Sequence, residues 1–114
     1  MNKLETMITA MNEKMAENIT AINMQEVNPF YDTFIIATAK NDRLLQAIRD
    51  NIKEKCESEN IAIKRIEGKG ESPWILMDYG DIVIHLFLDE ERKIYNLEKI
   101  WADMPRIDIS SYLQ

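Results

Sequence analysis

The chain has 114 residues, 46% hydrophobic and 30% charged, with 14 Lys and Arg against 20 Asp and Glu for a formal net charge of -6. That length suits one domain with one modest core, and the hydrophobic content excludes an intrinsically disordered chain. The charge disfavours phosphate backbones and anionic lipid surfaces as partners and favours a basic protein surface, while the lone cysteine, Cys56, excludes an internal disulfide and a multi-cysteine zinc site.

The first residues lack the apolar core of a signal peptide and the Arg-rich, acid-poor character of a transit peptide, and no apolar run reaches membrane-spanning length. A cytoplasmic protein without a membrane segment is the expectation. Leu4, Met7, Ile8, Met11 and Met15 recur at helical spacing and predict an amphipathic first helix. From Asn18 to Val27 the β-branched Ile19, Thr20, Ile22 and Val27 predict a strand, closed by a turn at Asn28-Pro29.

Thr33 to Ala39 is a nearly continuous apolar and β-branched run, the pattern of a central strand covered on both faces. Asn41 is placed to cap a second helix whose stripe is Leu44, Leu45, Ile48, Ile52 and Cys56, with Cys56 filling space in the core. Ile61 to Ile66 restarts a strand and completes a β-α-β unit, right-handed if its strands are parallel. Glu67 to Pro73 holds two glycines and a proline and reads as a mobile loop; it lacks the full P-loop pattern and leads into a strand, whereas a phosphate cradle needs a helix N-terminus.

Trp74 to Tyr79, a turn at Gly80 and Ile82 to Leu88 form a hairpin, followed by the acidic start Asp89-Glu90-Glu91 of a short helix containing Tyr95, Leu97, Ile100 and Trp101. The whole is a mixed α/β sheet of about five strands with flanking helices. Residues 1–104 make one domain, and 105–114 are expected to be a loosely held tail.

A hairpin turn centred on Tyr79-Gly80 puts Asp78 opposite Asp81, Leu76 opposite Val83 and Trp74 opposite His85. Alternation then gives one aliphatic face of Ile75, Met77, Ile82, Ile84 and Leu86, and a second face of Trp74, Leu76, Asp78, Asp81, Val83, His85 and Phe87. Aromatics mixed with a histidine and carboxylates resemble an interaction hot spot, with Trp74 as anchor. On pairing alone the alternative stays open that Trp74, His85 and Phe87 lie beneath a helix, with the imidazole bonded to a carbonyl. For Asp78 and Asp81 the simpler reading is turn chemistry and edge charge rather than metal binding.

Glu67-Gly68, Trp74-Ile75-Leu76, Asp78-Tyr79-Gly80-Asp81, Val83, His85, Phe87, Arg92, Tyr95, Leu97-Glu98 and Trp101 stand in one ordered array, preceded by Asp32-Thr33-Phe34-Ile35-Ile36-Ala37-Thr38 and Asp42-Arg43. Across residues 2–104 this pattern resembles the ribosomal silencing factor, or Iojap-like, family. The resemblance implies a nucleotidyltransferase-like fold, frequent homodimers, no cofactor, and no catalysis. It implies binding to large-subunit ribosomal protein L-fourteen, which blocks joining of the small subunit and lowers translation when nutrients are scarce.

The family's contact region maps onto Trp74, Leu76 and Asp78; Met77, Asp81, Val83 and His85 extend it from the pairing scheme, and Lys69 enters because its loop leads into the strand. Ala39, Asn41 and Leu44 depart from the Gly, Ser and His that the family often places there, so the role of that loop is not carried over. Two other classes compete. One is a magnesium-dependent nucleotidyl or phosphoryl transferase using Asp78, Asp81 and Asp89, although neither the Gly-Ser nor the Asp-x-Asp motif of such enzymes is present. The other is a structural assembly subunit whose Trp74 face is a homodimer contact.

Overall fold

A computed structural model describes residues 2–26, 29–68, 73–95, 99 and 102–113. Its elements run α1 (Lys3–Glu13), β1 (Glu17–Asn23), β2 (Thr33–Ala39), α2 (Asp42–Ser58), β3 (Arg65–Glu67), β4 (Trp74–Asp78), β5 (Ile82–Leu88), α3 (Asp89–Tyr95), β6 (Arg106–Ile107) and a closing 3-10 turn (Ser110–Tyr112). The strands form one mixed sheet in the order β3-β4-β5-β2-β1-β6. The α/β class with flanking helices is as expected, with six strands rather than about five.

Both long helices begin and end on side-chain and backbone capping. The Glu5 amide donates to Asn2 Oδ1 at 2.7 Å and the Leu44 amide to Asn41 Oδ1 at 2.8 Å, satisfying donors that have no partner within the helix. At the other ends Met15 and Asn60 adopt left-handed conformations (φ 63° and 59°), and the amides of Ala16 and Ile61 reach back to the carbonyls of Met11 and Cys56 at 3.1 and 2.8 Å. This is the Schellman arrangement, and it explains a departure from the periodicity. Met15, expected on the buried stripe, lies beyond the helix end and is 65% exposed.

The central pair is β2 and β5, parallel from Thr33↔Ile82 to Ala39↔Leu88. Because β4 is antiparallel to β5 and β3 antiparallel to β4, β3 runs in the same direction as β2 and the expected β-α-β unit exists, spanning two intervening strands. Its second strand is only Arg65–Glu67, shorter and later than the apolar pattern from Ile61 indicated. β1 begins with a bulge between Glu17 and Thr20, where Asn18 has φ 50°. It stops at Asn23, whose side chain accepts the Gln25 amide at 3.0 Å and turns the chain. Of the strand expected from Asn18 to Val27, Val27 lies outside the described residues, as do Leu97, Ile100 and Trp101 of the last helical pattern.

One face of the sheet is closed by α1 and α2. Ile35, Ile75, Met77, Ile84 and Leu86 from the strands meet Met7, Met11, Leu45, Ile48, Ile52 and Cys56 from the helices, all essentially inaccessible. Buried Asn51 ties the helices together by donating to the Ala10 carbonyl at 2.8 Å, one of the last carbonyls of α1, and to Glu13 at 3.2 Å. The segment after Pro105 is not a loose tail. Arg106 and Ile107 pair with Ile22 and Ala21, the Asn23 amide donates to the Pro105 carbonyl at 2.8 Å, and Ile109 is buried. Two residues cover part of the edge of β1 yet are too few to show any alternation in the sequence.

Candidate partner surface

The opposite face is built from Ile22, Met24, Phe34, Ile36, Val83 and Phe87, all buried, with Tyr31, Trp74, Leu76 and Met104 packed around them at partial exposure. α3 leans on β2 and β5 on this side. The guanidinium of Arg92 donates to Thr38 Oγ1 at 2.8 Å, to Thr20 Oγ1 at 3.3 Å and to the Asn18 carbonyl. The bulge at Asn18 turns that carbonyl out of the strand ladder, and a cation from α3 takes it up.

The hairpin that carries most of the sequence-predicted residues is shifted by two from the expected pairing. Trp74 faces Phe87, Leu76 faces His85 and Asp78 faces Val83. The turn is longer because Asp78 folds back to accept the Gly80 amide at 2.8 Å while the Tyr79 amide donates to the Ile82 carbonyl at 2.9 Å. Gly80 sits at φ 98°, and a Cβ there would meet Lys64 Cε at 3.0 Å, so only glycine turns the chain without strain. An even shift leaves every strand side chain on its original face, so the division into aliphatic and aromatic faces holds for the strands although the partners change, and only Asp81, now in the turn, leaves its expected face.

Across this face runs a row of rings. Centroids are 5.7 Å apart for Tyr31 and Phe34, 5.1 Å for Phe34 and His85, 6.0 Å for His85 and Trp74, and 5.1 Å for Trp74 and Phe87, the last pair nearly stacked. His85 sits in the middle, 5% exposed, and neither ring nitrogen has a hydrogen-bond partner among the described residues. The carbonyl bond allowed for it from sequence is thus not made. Burial lowers its pKa from 6.5 to about 4, so the ring is neutral at physiological pH and serves as an aromatic plate.

The other expected residues divide sharply. Trp74 and Leu76 reach the surface at the rim of the row. Val83 is buried beneath them. Met77 points to the opposite face, fully buried under the helices, and is removed from any contact surface. Asp78 is buried in its turn, 3.9 Å from the Arg65 guanidinium. Asp81 lies in the turn rather than in the strand, and its carboxylate meets Lys3 of α1 at 3.4 Å, on the helical side. Lys69 lies outside the described residues. The transferase set does not assemble, since Asp89 follows the last residue of β5 and Asp81 precedes the first, about 26 Å apart along the strand. Among the described residues no three His, Cys, Asp or Glu are grouped to hold a metal, and no helix is long and apolar enough to cross a membrane.

Tyr31 and the neighbouring Phe30 had no place in the sequence reading. Isolated aromatics beside a proline in a turn carry no periodicity, and only the fold brings Tyr31 against Phe34.

A family model described as "Ribosomal silencing factor during starvation" matches residues 1–114. A protein of Bacillus subtilis named ribosomal silencing factor RsfS is 39% identical over 106 residues, 93% of this chain and 90% of its own. The mouse protein named mitochondrial assembly of ribosomal large subunit protein 1 is 30% identical over 104 residues, 87% of this chain and 45% of that one. A crystal structure of a Bacillus halodurans protein superposes with a TM-score of 0.82 at 36% identity, covering 93% of this chain and 96% of that chain.

Proposed function

Since the chain belongs to the ribosomal silencing factor family, we propose that it represses translation in the cytoplasm by binding the large ribosomal subunit through ribosomal protein L-fourteen. Bound there, it sterically blocks the small subunit from joining when nutrients are limiting. It acts as a wedge, without catalysis or cofactor. The observation that carries this reading is the partly buried pair Trp74 and Leu76 at the rim of an otherwise buried aromatic face. A tryptophan held in place by Phe87 has little rotamer entropy left to lose on docking, which is the character of an interface anchor. The net charge of -6 adds long-range attraction to a basic ribosomal protein, so association should slow as salt is raised.

The test is co-sedimentation of the purified protein with isolated large subunits, repeated as small subunits are added under joining conditions. The protein should pellet with large subunits and reduce the joined fraction. Trp74→Ala should weaken binding by about 2 kcal/mol or more, roughly 30-fold, with the fold retained. Unchanged binding by that folded variant would remove Trp74 from the site. Homodimerisation through the same rim is the competing use. It would be indicated by a doubled mass in light scattering that Trp74→Ala returns to monomer, with no subunit binding.

A further inference from the structure

Phe30 is 80% exposed, the most exposed large hydrophobic side chain among the described residues. It directly precedes Tyr31, whose ring packs on Phe34 and so joins the row that ends at Trp74 and Phe87. The fold holds this segment firmly against the hairpin. The Asp32 and Thr33 amides both donate to the Asp81 carbonyl, at 2.7 and 3.2 Å, and the Met24 amide donates to the Asp32 carbonyl at 2.9 Å. The start of β2, immediately after Tyr31, is therefore fastened to the same turn that sets the register of Trp74 and Leu76. At 80% exposure most of the Phe30 side chain is open to a partner, next to the half-buried rim.

Along the chain the charge of this stretch is one-sided. From residue 16 to residue 39 the sequence contains no Lys or Arg, and its charged residues are Glu17, Glu26 and Asp32. Glu26 and Asp32, which flank Phe30, are both exposed. A large exposed apolar side chain in a stretch of sequence that carries only acidic charge suits a partner that presents an apolar pocket within a basic surface.

We propose that Phe30 and Tyr31 form a second anchor of the partner surface, so that the basic ribosomal protein docking on Trp74 also covers these two side chains. This rests on the ribosome-binding reading above and extends its surface from the hairpin to the far side of the aromatic row. Trp74 and the Phe30 segment then act as two fixed points, with the buried Phe34 and His85 between them as a rigid floor. Two separated anchors define an orientation, which a single tryptophan does not.

The experiment is titration of Phe30→Ala, Trp74→Ala and wild type against purified large subunits, with far-UV circular dichroism and thermal unfolding on each. Because Phe30 is so exposed, Phe30→Ala should keep the wild-type spectrum and melting temperature while binding weakens about tenfold or more. Binding within twofold of wild type, while Trp74→Ala loses affinity, would overturn the second anchor and leave the ribosome-binding reading standing. Failure of wild type itself to bind would overturn both. As an independent measurement, a benzophenone side chain at position 30 should cross-link to a basic large-subunit protein. Cross-linking to a second copy of this chain, to ribosomal RNA or to nothing would count against the proposal.

Discussion

The helix-covered face of the sheet and the aromatic face are both apolar, but they are closed in different ways. On the first, α1 and α2 lay two stripes of Met, Leu and Ile over β2, β4 and β5, and the buried residues of that cluster lie between 0% and 7% exposed. On the second, a buried floor of Phe34, Ile36, Val83 and Phe87 ends in a rim where Tyr31, Trp74 and Leu76 are only partly covered. The contrast separates hydrophobic surface that holds the fold together from hydrophobic surface left partly uncovered, which is where the proposed docking takes place. Substitutions on the first face should act on stability, and substitutions at the rim of the second should act on binding.

The largest effect that would sharpen this contrast is expected from Ile35→Ala, which removes buried methyl groups from the central strand beneath the helices. Unfolding in urea should show a loss of about 2–5 kcal/mol, with affinity for large subunits unchanged at temperatures where the variant is folded. A loss of affinity in the folded variant would break the division between the faces.

His85 makes the aromatic face sensitive to acid. Its folded pKa, about 4, lies below the ordinary 6.5, so the unfolded chain binds a proton there at pH values where the folded chain does not. Its neutral burial therefore contributes fully above pH 6.5, progressively less as the pH falls, and nothing at about 4 and below, a total of roughly 3 kcal/mol. Urea unfolding at a series of pH values should trace that decline, and His85→Leu should flatten it. An identical acid limb in the variant would assign the decline to other groups.

The smallest effect concerns the end of α1 and should leave both faces untouched. Met15 adopts a left-handed conformation while offering most of its side chain to solvent, so Met15→Gly should raise stability by about 1 kcal/mol. A rise in melting temperature with unchanged ribosome binding is the expected result.

Most of the core was legible in the sequence, because Leu45, Ile48, Ile52 and Cys56 follow a helical period and the hairpin follows a period of two. Even the separation of Trp74, Leu76, Val83 and His85 from Ile75, Met77, Ile84 and Leu86 could be read from alternation. What could not be read depends on single hydrogen bonds. The Asp78 side chain lengthens the hairpin turn, the Asn23 side chain ends β1, and the left-handed Met15 ends α1. β6 and the Phe30–Tyr31 segment were missed because a two-residue strand and two adjacent aromatics have no period. Their positions follow from tertiary pairing with β1 and with the Asp81 turn.

The parallel pairing of β2 with β5 has a consequence for the order in which the protein is made. Trp74, His85 and Phe87 belong to a hairpin of neighbours, whereas Tyr31 and Phe34 reach them only when β2 pairs with residues about 50 positions further along the chain. Local hairpins form in microseconds, while closing long loops and non-local pairs belongs to the slower part of folding. The ring row thus arises in two halves and is joined by the same late step that completes the central sheet. A chain arrested before that step carries Trp74 without Phe34 beside it, so the proposed docking surface is complete only when the fold is.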